Sequence, residues 1–190
     1  KVYVVLNSFL HDTDLLQLPE FIEELKLLKV DAVIISDLGV LKTFAKYSSI
    51  PIHLSTQASC LNVQSALLWK DMGVTRVVLG REVSLKAAQA IREQSGLEVE
   101  MFIHGSMCMA YSGNCTISNF TQGRDSNRGG CAHSCRFEYS FDMAPITGEP
   151  EKKHAFFMSS KDLEGLRLLP QYIAAGIDSV KIEGRMKSHL

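Results

Sequence analysis

The sequence predicts an α/β fold and, within that class, a (βα)8 barrel of the TIM type. Three observations lead there. Short runs rich in β-branched residues alternate with amphipathic stretches of about a dozen residues, the pattern of parallel strands joined by crossover helices. The clearest run, AVIIS at 32–36, is apolar on both faces, as a strand covered by helices should be. Polar residues gather just after the runs, at Asn7, Ser55, Thr56, Gln57, Arg81, His104, Glu183 and Arg185, and barrels keep their chemistry at that end of their strands.

In order, residues 1–6 (KVYVVL) read as a strand, and 15–28 as a helix with Leu18, Phe21, Ile22, Leu25 and Leu28 on one face. Strand 32–36 is followed by a helix at 37–47. Strand 52–55 is followed by a helix at 62–72, and strand 76–79 by a helix at 84–94. Ser84 is a natural N-cap there and Gly96 a natural stop. Strand 98–103 leads into a cysteine-rich stretch, after which come a helix at 162–175 and a last strand at 179–182. The phrases VDAV, GVTRVV and GIDSVKI each place a tight turn before a strand. Six strands leave two possibilities: an open doubly wound sheet, or an eight-stranded barrel whose first two strands lie outside this chain. The polar strand ends favour the barrel. Neither a G-x-G-x-x-G loop nor a P-loop is present.

With 190 residues the chain is expected to form a single domain. A formal net charge of -1 gives no global field that would select nucleic acid or membrane, so any such role must rest on a local patch. No apolar run approaches the roughly 20 residues of a membrane span, and no signal peptide is expected before the first strand. Five cysteines, four of them clustered, are unlike a secreted disulfide scaffold and point to the cytoplasm.

The cluster is Cys108, Cys115, Cys131 and Cys135, spaced C-x6-C-x15-C-x3-C. Four thiolates are the ligand set of a 4Fe–4S cluster or of tetrahedral zinc. The wide gaps suit the cluster, or a metal helped by His104 or His133, and the surrounding glycines let backbone wrap a bulky centre. Cys135, beside Arg136 and near His133, could instead be a nucleophile with a lowered pKa, and unconnected buried cysteines are the bland alternative. Cys60 stands apart and reads as a buried bystander. Arg124, Arg128 and Arg136 suit a carboxylate or phosphate, or else a solvated loop. Thr56, Gln57 and Asn62 would project into the barrel mouth, or serve as turn and cap. Lys181 and Glu183 alternate on a strand and so face one way; if that way is inward, the pair is costly to bury and points to function, the alternative being an exposed terminal segment. Arg185 follows at the rim, where an anion could bind.

FIHGSMCMAYSGNCTIS, NRGGCAHSCRFEY, VKIEGRMKS and IHLSTQASCLN resemble segments of the peptidase U32 family, also called collagenase-like proteases, and the resemblance runs along the whole chain. It implies a modified TIM barrel whose long insertion, here 104–157, lies between the last two strands. It implies that Cys108, Cys115, Cys131 and Cys135 hold a 4Fe–4S cluster, with zinc as the alternative. Family members support hydroxylation of tRNA or rRNA bases or of a ubiquinone precursor. The expected function is therefore RNA-base hydroxylation of the tRNA wobble-uridine type. His104, Lys181 and Glu183 would be catalytic, and Gln57, Asn62, Arg81, Arg124, Arg128 and Arg185 would bind substrate. Expected partners are tRNA or another RNA, a small dicarboxylate such as prephenate, and a second copy of the chain or a paralogous one, with no membrane. The alternatives are a collagenase-like metal-dependent peptidase and a zinc-stapled binding module. No H-E-x-x-H or G-x-S-x-G motif supports the protease name.

Overall fold

The computed structural model describes residues 1–143 and 151–184. Its strands are β1 (Tyr3–Leu6), β2 (Ala32–Ile35), β3 (Ile52–Leu54), β4 (Val74–Val78), β5 (Glu98–Gly105), β6 (Tyr139–Met143), β7 (Glu151–Ala155), β8 (Leu163–Glu164) and β9 (Ser179–Ile182). The helices are α1 (Asp12–Leu15), α2 (Leu18–Leu27), α3 (Leu38–Tyr47), α4 (Val63–Asp71), α5 (Leu85–Ser95), α6 (Ile117–Gln122) and α7 (Leu169–Ala174). β1 to β5 pair in parallel in chain order and β9 adds in parallel to β5, so all six predicted strands are present. Among the described residues the sheet is open: β1 and β9 do not pair with each other, and no closed barrel forms.

Local chemistry sets the boundaries. Asp37 caps α3 by accepting from the Gly39 and Val40 amides, and Ser84 caps α5 by accepting from Ala87 N at 3.3 Å. Gly96, at φ +69°, ends α5 as expected. The turns before β2, β4 and β9 each use a left-handed residue: Lys29, Gly73 and Gly176. In two of them the next Asp ties the neighbouring strand down. Asp31 accepts from Val2 N at 2.6 Å, and Asp178 accepts from Val99 N at 2.9 Å while pairing with Arg92.

Two helices differ from expectation. The expected helix at 15–28 forms as α2, starting three residues late with Pro19 in its first turn, and a short α1 precedes it. The expected helix at 162–175 survives only as α7. Its first part runs as β8, antiparallel to the end of β5, where Gly165 donates to Ile103 O at 2.8 Å. A Cβ on Gly165 would meet that oxygen at 2.5 Å, and Pro170 starts the helix late. The hairpin β6–β7 had no signal in the sequence reading.

The sheet has two unlike faces. Val33, Ile35, Leu54, Val77 and Val99 pack with Ile22, Val40, Phe44, Ala66 and Ile91 from the helices into one core, which also holds Cys60. The alternate residues carry charge. Arg76 bonds Glu98 at 2.7 Å and Glu100 at 3.2 Å, and Lys181 lies 3.5 Å from Glu100. His53 sits beside them, 5% exposed, edge-on to Tyr3 at 5.0 Å, with its Nδ1 unpartnered. Burial, and then the Arg76 charge, lower its pKa from 6.5 to about 4. His53 is therefore neutral in the fold at pH 7, and an unfolded histidine binds the proton more readily. Its contribution is complete above pH 6.5 and is lost as pH falls toward 4, by roughly 3 kcal/mol at most. The urea midpoint of the wild type should fall more steeply over that window than that of His53→Gln.

Candidate functional site: a thiol-lined cavity beside a polar pocket

The site lies at the C-terminal ends of the parallel strands. After β3, Ser55 accepts from Gln57 N and starts a single helical turn, Thr56–Ala58, closed by Ser59 in the left-handed region. That turn holds Thr56 and Gln57 over the sheet end. Asn7, after β1, donates to Ser55 Oγ at 3.1 Å and accepts from Ser36 Oγ at 2.8 Å through its carbonyl. After β4, Arg81 places its guanidinium 3.7 Å from the centre of the Phe102 ring and pairs with Glu183. Glu183 reaches this position because Gly105, at φ +108°, lets the two backbones approach; a Cβ there would meet Glu183 O at 2.2 Å. Lys181, two residues back on β9, stands over the same ring.

The segment after β5 carries the four clustered cysteines and folds back over this end. Ser112 N donates to Glu82 at 3.0 Å, Ser59 donates to Ser112 O, and Asn114 donates to Ser59 Oγ at 3.0 Å. Gly113, at φ +86°, lies flat on the 56–58 turn, where a Cβ would meet Gln57 O at 1.9 Å. Farther along, Phe9 N donates to Asn127 O at 3.0 Å, and Arg128 donates to Phe9 O at 2.7 Å and pairs with Asp14. Arg136 pairs with Asp162 at 3.0 Å and donates to the carbonyls of Met107 and Ser160.

The outcome is a cavity of about 100 Å³ lined by Cys108, Cys115, Cys131 and Cys135 together with Thr56, Gln57 and Arg81. Beside it lies a pocket of about 340 Å³ at the strand ends, lined by Asn7, Ser55, Phe102, Ser106, His133, Lys181 and Glu183. Thr56, Gln57 and Arg81 belong to both walls. Cys108 and Cys131 keep an exposed edge, while Cys115 and Cys135 are half-buried. Burial pushes the Cys108 and Cys135 thiols up, the neighbouring thiols add to this, and Arg81 and Arg136 respectively oppose it less strongly. The lowered pKa of the nucleophile alternative at Cys135 is thus reversed, because desolvation outweighs Arg136, which is engaged elsewhere. Among the described residues no three His, Cys, Asp or Glu side chains close on a point that could hold one metal ion.

Of the residues singled out in the sequence, the structure brings the four cysteines, Gln57, Arg81, Lys181 and Glu183 together. His104 is exposed and lines neither space, its carbonyl accepting from Glu183 N. Asn62 caps α4, accepting from Ser65 N at 2.9 Å. Arg124 is exposed and lines neither space, Arg128 clamps the segment to α1, and Arg185 lies outside the described residues. Asn7, Ser55 and Thr56, marked in the sequence as polar residues after strands, join the linings, and so do Phe102, Ser106, Ser126 and Asn127, which the sequence did not mark as site residues. A larger hollow, about 630 Å³ beside β1 and α2, contains none of the thiols, so size does not mark the site.

Fold and site define a parallel α/β protein with a thiol-lined cavity opening beside a polar pocket at its strand ends. The chain belongs to peptidase family U32, whose model matches residues 1–190. It is 40% identical over 195 residues to tRNA hydroxylation protein P1 of Bacillus subtilis, a match that takes in 99% of this chain and 46% of that protein. It is 38% identical over 187 residues to the 23S rRNA 5-hydroxycytidine C2501 synthase of Escherichia coli, covering 98% of this chain and 28% of that one. The Porphyromonas gingivalis protein named collagenase is 30% identical over 198 residues, with 98% and 47% covered. The chain spans about half the length of the tRNA hydroxylation proteins it matches. The solved structure of the U32 peptidase Mk0906 has the same fold, with a TM-score of 0.59 at 15% identity over 97% of this chain and 70% of that one. No helix among the described residues is long and apolar enough to cross a membrane.

Proposed function

We propose that this chain is the thiol-bearing core of a protein that supports hydroxylation of an RNA base, of the tRNA wobble-uridine type. The observation that carries the reading is the shared wall: four thiols line one cavity, and Thr56, Gln57 and Arg81 separate it from a pocket with room for a base or a small acid. The names of the Bacillus and Escherichia relatives support the RNA substrate.

The thiol set fits a 4Fe–4S cluster. One zinc ion at Zn–S of about 2.3 Å draws its sulfurs to within roughly 4 Å of each other, whereas a cluster keeps its ligands farther apart around its own sulfides. Four thiols that line one cavity supply the four soft donors such a cluster takes. Cys108, Cys115, Cys131 and Cys135 would hold the cluster, which supplies one-electron chemistry when bound. The chain's own residues would do the rest. Arg81 and Lys181 offer positive charge to a small dicarboxylate of the prephenate type. Phe102 and Gln57 offer a flat face and an amide to a base. Glu183, two residues from Lys181 on β9, holds Arg81 over Phe102. Two further parallel strands, added to the edges of β1 and β9, would complete the barrel, with 104–157 as its insertion and a second copy or paralogous chain as a partner.

The collagenase name favours a second reading, a metal-dependent peptidase. Anaerobic purification of the full-length protein separates the two. About four irons with matching sulfide, and loss of the hydroxylated nucleoside from the RNA of a deletion strain, are expected. One zinc per chain, no sulfide and cleavage of gelatin would give the peptidase.

A further inference from the structure

Two hydroxyls in the thiol cavity have nothing to bond to. Thr56 Oγ1 and Ser126 Oγ are buried without a hydrogen-bond partner, a condition shared among the described side chains only by His53 Nδ1. Both residues line the cavity that the four cysteines line. They approach it from different elements, Thr56 from the turn after β3 and Ser126 from the single-turn helix Ser126–Arg128. Each is held from behind. Thr56 O accepts from Ser59 N at 3.1 Å, and the carbonyl of Asp125, next to Ser126, accepts from Arg128 N and Gly130 N. Gly130 permits the latter because its Cα lies against Asp125, where a Cβ would meet Asp125 O at 2.7 Å. A buried hydroxyl left unbonded costs roughly 1–3 kcal/mol. Neither finds an acceptor in a protein sulfur, so an acceptor occupying the cavity would relieve both.

We propose that Thr56 and Ser126 donate hydrogen bonds to the sulfur atoms of an iron–sulfur centre held by Cys108, Cys115, Cys131 and Cys135, and so raise its reduction potential. This rests on the cluster reading of the cavity. Reduction adds one electron, whose charge spreads onto the sulfurs, and a donor aimed at sulfur stabilises the more negative state. Thr56 also faces the neighbouring pocket, so one residue would tune the centre while walling it off from substrate.

The test is a redox titration, followed by electron paramagnetic resonance, of the full-length protein purified without oxygen. Thr56→Val keeps the shape and removes the donor; Ser126→Ala does the same on the other side. Each should retain wild-type iron and sulfide and shift the oxidised–reduced balance by up to about tenfold, a midpoint lower by about 59 mV for one electron. Thr56→Ser, which restores a hydroxyl, should titrate like the wild type. An unchanged midpoint in both variants with iron retained overturns the proposal. So does failure of the variants to load iron, because a tuning donor is not needed for assembly. A wild-type protein without iron or sulfide brings down the cluster reading itself, a result distinct from either.

Discussion

Serine at any one of Cys108, Cys115, Cys131 or Cys135 is expected to leave the full-length protein without the iron and sulfide proposed for it and to lower the proposed RNA hydroxylation by more than about 100-fold, whereas Cys60→Ser should leave both as in the wild type. The magnitude follows from ligand chemistry: changing a group that merely orients a ligand costs 10–100-fold, so losing the ligand costs more. A serine hydroxyl keeps its proton at neutral pH and is a hard donor where a soft thiolate is required. The contrast with Cys60 follows from position. The four thiols line one cavity at the strand ends, while Cys60 is 1% exposed in the helix–sheet core, its thiol pushed up to about 11 by burial. Iron and acid-labile sulfide assays, with mass spectrometry of the RNA nucleosides, read the outcome. If three of the four substitutions were silent and only Cys135→Ser inactivated, the centre would be a single nucleophile. Burial, which raises the Cys135 pKa, argues against that.

What was readable in the sequence was whatever a local rule controls. The six parallel strands announced themselves as β-branched runs, and Ser84 and Gly96 marked the ends of α5 through cap chemistry. The thiol set was readable because four cysteines in one stretch have few other uses. Nothing local announced the hydrogen bond from Gly165 N to Ile103 O that turns the expected helix into β8, or the antiparallel pairing of β6 with β7. Both depend on partners outside the local stretch, and Gly165 and Ile103 lie dozens of residues apart. The same limit applied to the arginines. Arg124, Arg128 and Arg136 look equivalent as spaced cations, yet Arg128 and Arg136 are drawn to Asp14 and Asp162 and fasten the segment down, while Arg81, marked in the sequence by its place after a strand, stacks on Phe102 inside the pocket. Phe102 fell within the expected strand at 98–103, and its ring becomes a pocket wall on the charged face of the sheet, beside Arg81 and Lys181.

The largest effect of a single methyl group is expected at Gly113. Alanine there meets two obstacles at once: a φ of +86°, and the Gln57 carbonyl oxygen 1.9 Å from the new Cβ. The first costs about 1–2 kcal/mol. The second cannot be relieved by a rotamer change, because the obstacle is backbone, fixed in the turn that Ser55 caps. The segment must lift off the end of β3, breaking the contacts of Ser112 with Glu82 and of Asn114 with Ser59 and moving Cys108 and Cys115 away from Cys131 and Cys135. Gly123 is the control. It also has a positive φ, +62°, but a Cβ there meets nothing within 4 Å, so Gly123→Ala should cost only about 1 kcal/mol and keep its iron. Gly113→Ala should keep the far-ultraviolet circular dichroism of the α/β scaffold, whose core lies on the opposite side of the sheet, and lose most of its iron. Equal iron in the two variants would mean that docking of the segment on the 56–58 turn does not assemble the thiol cavity. A loss confined to Gly113→Ala would mean that a backbone contact, made by a residue with no side chain, brings the two pairs of thiols together.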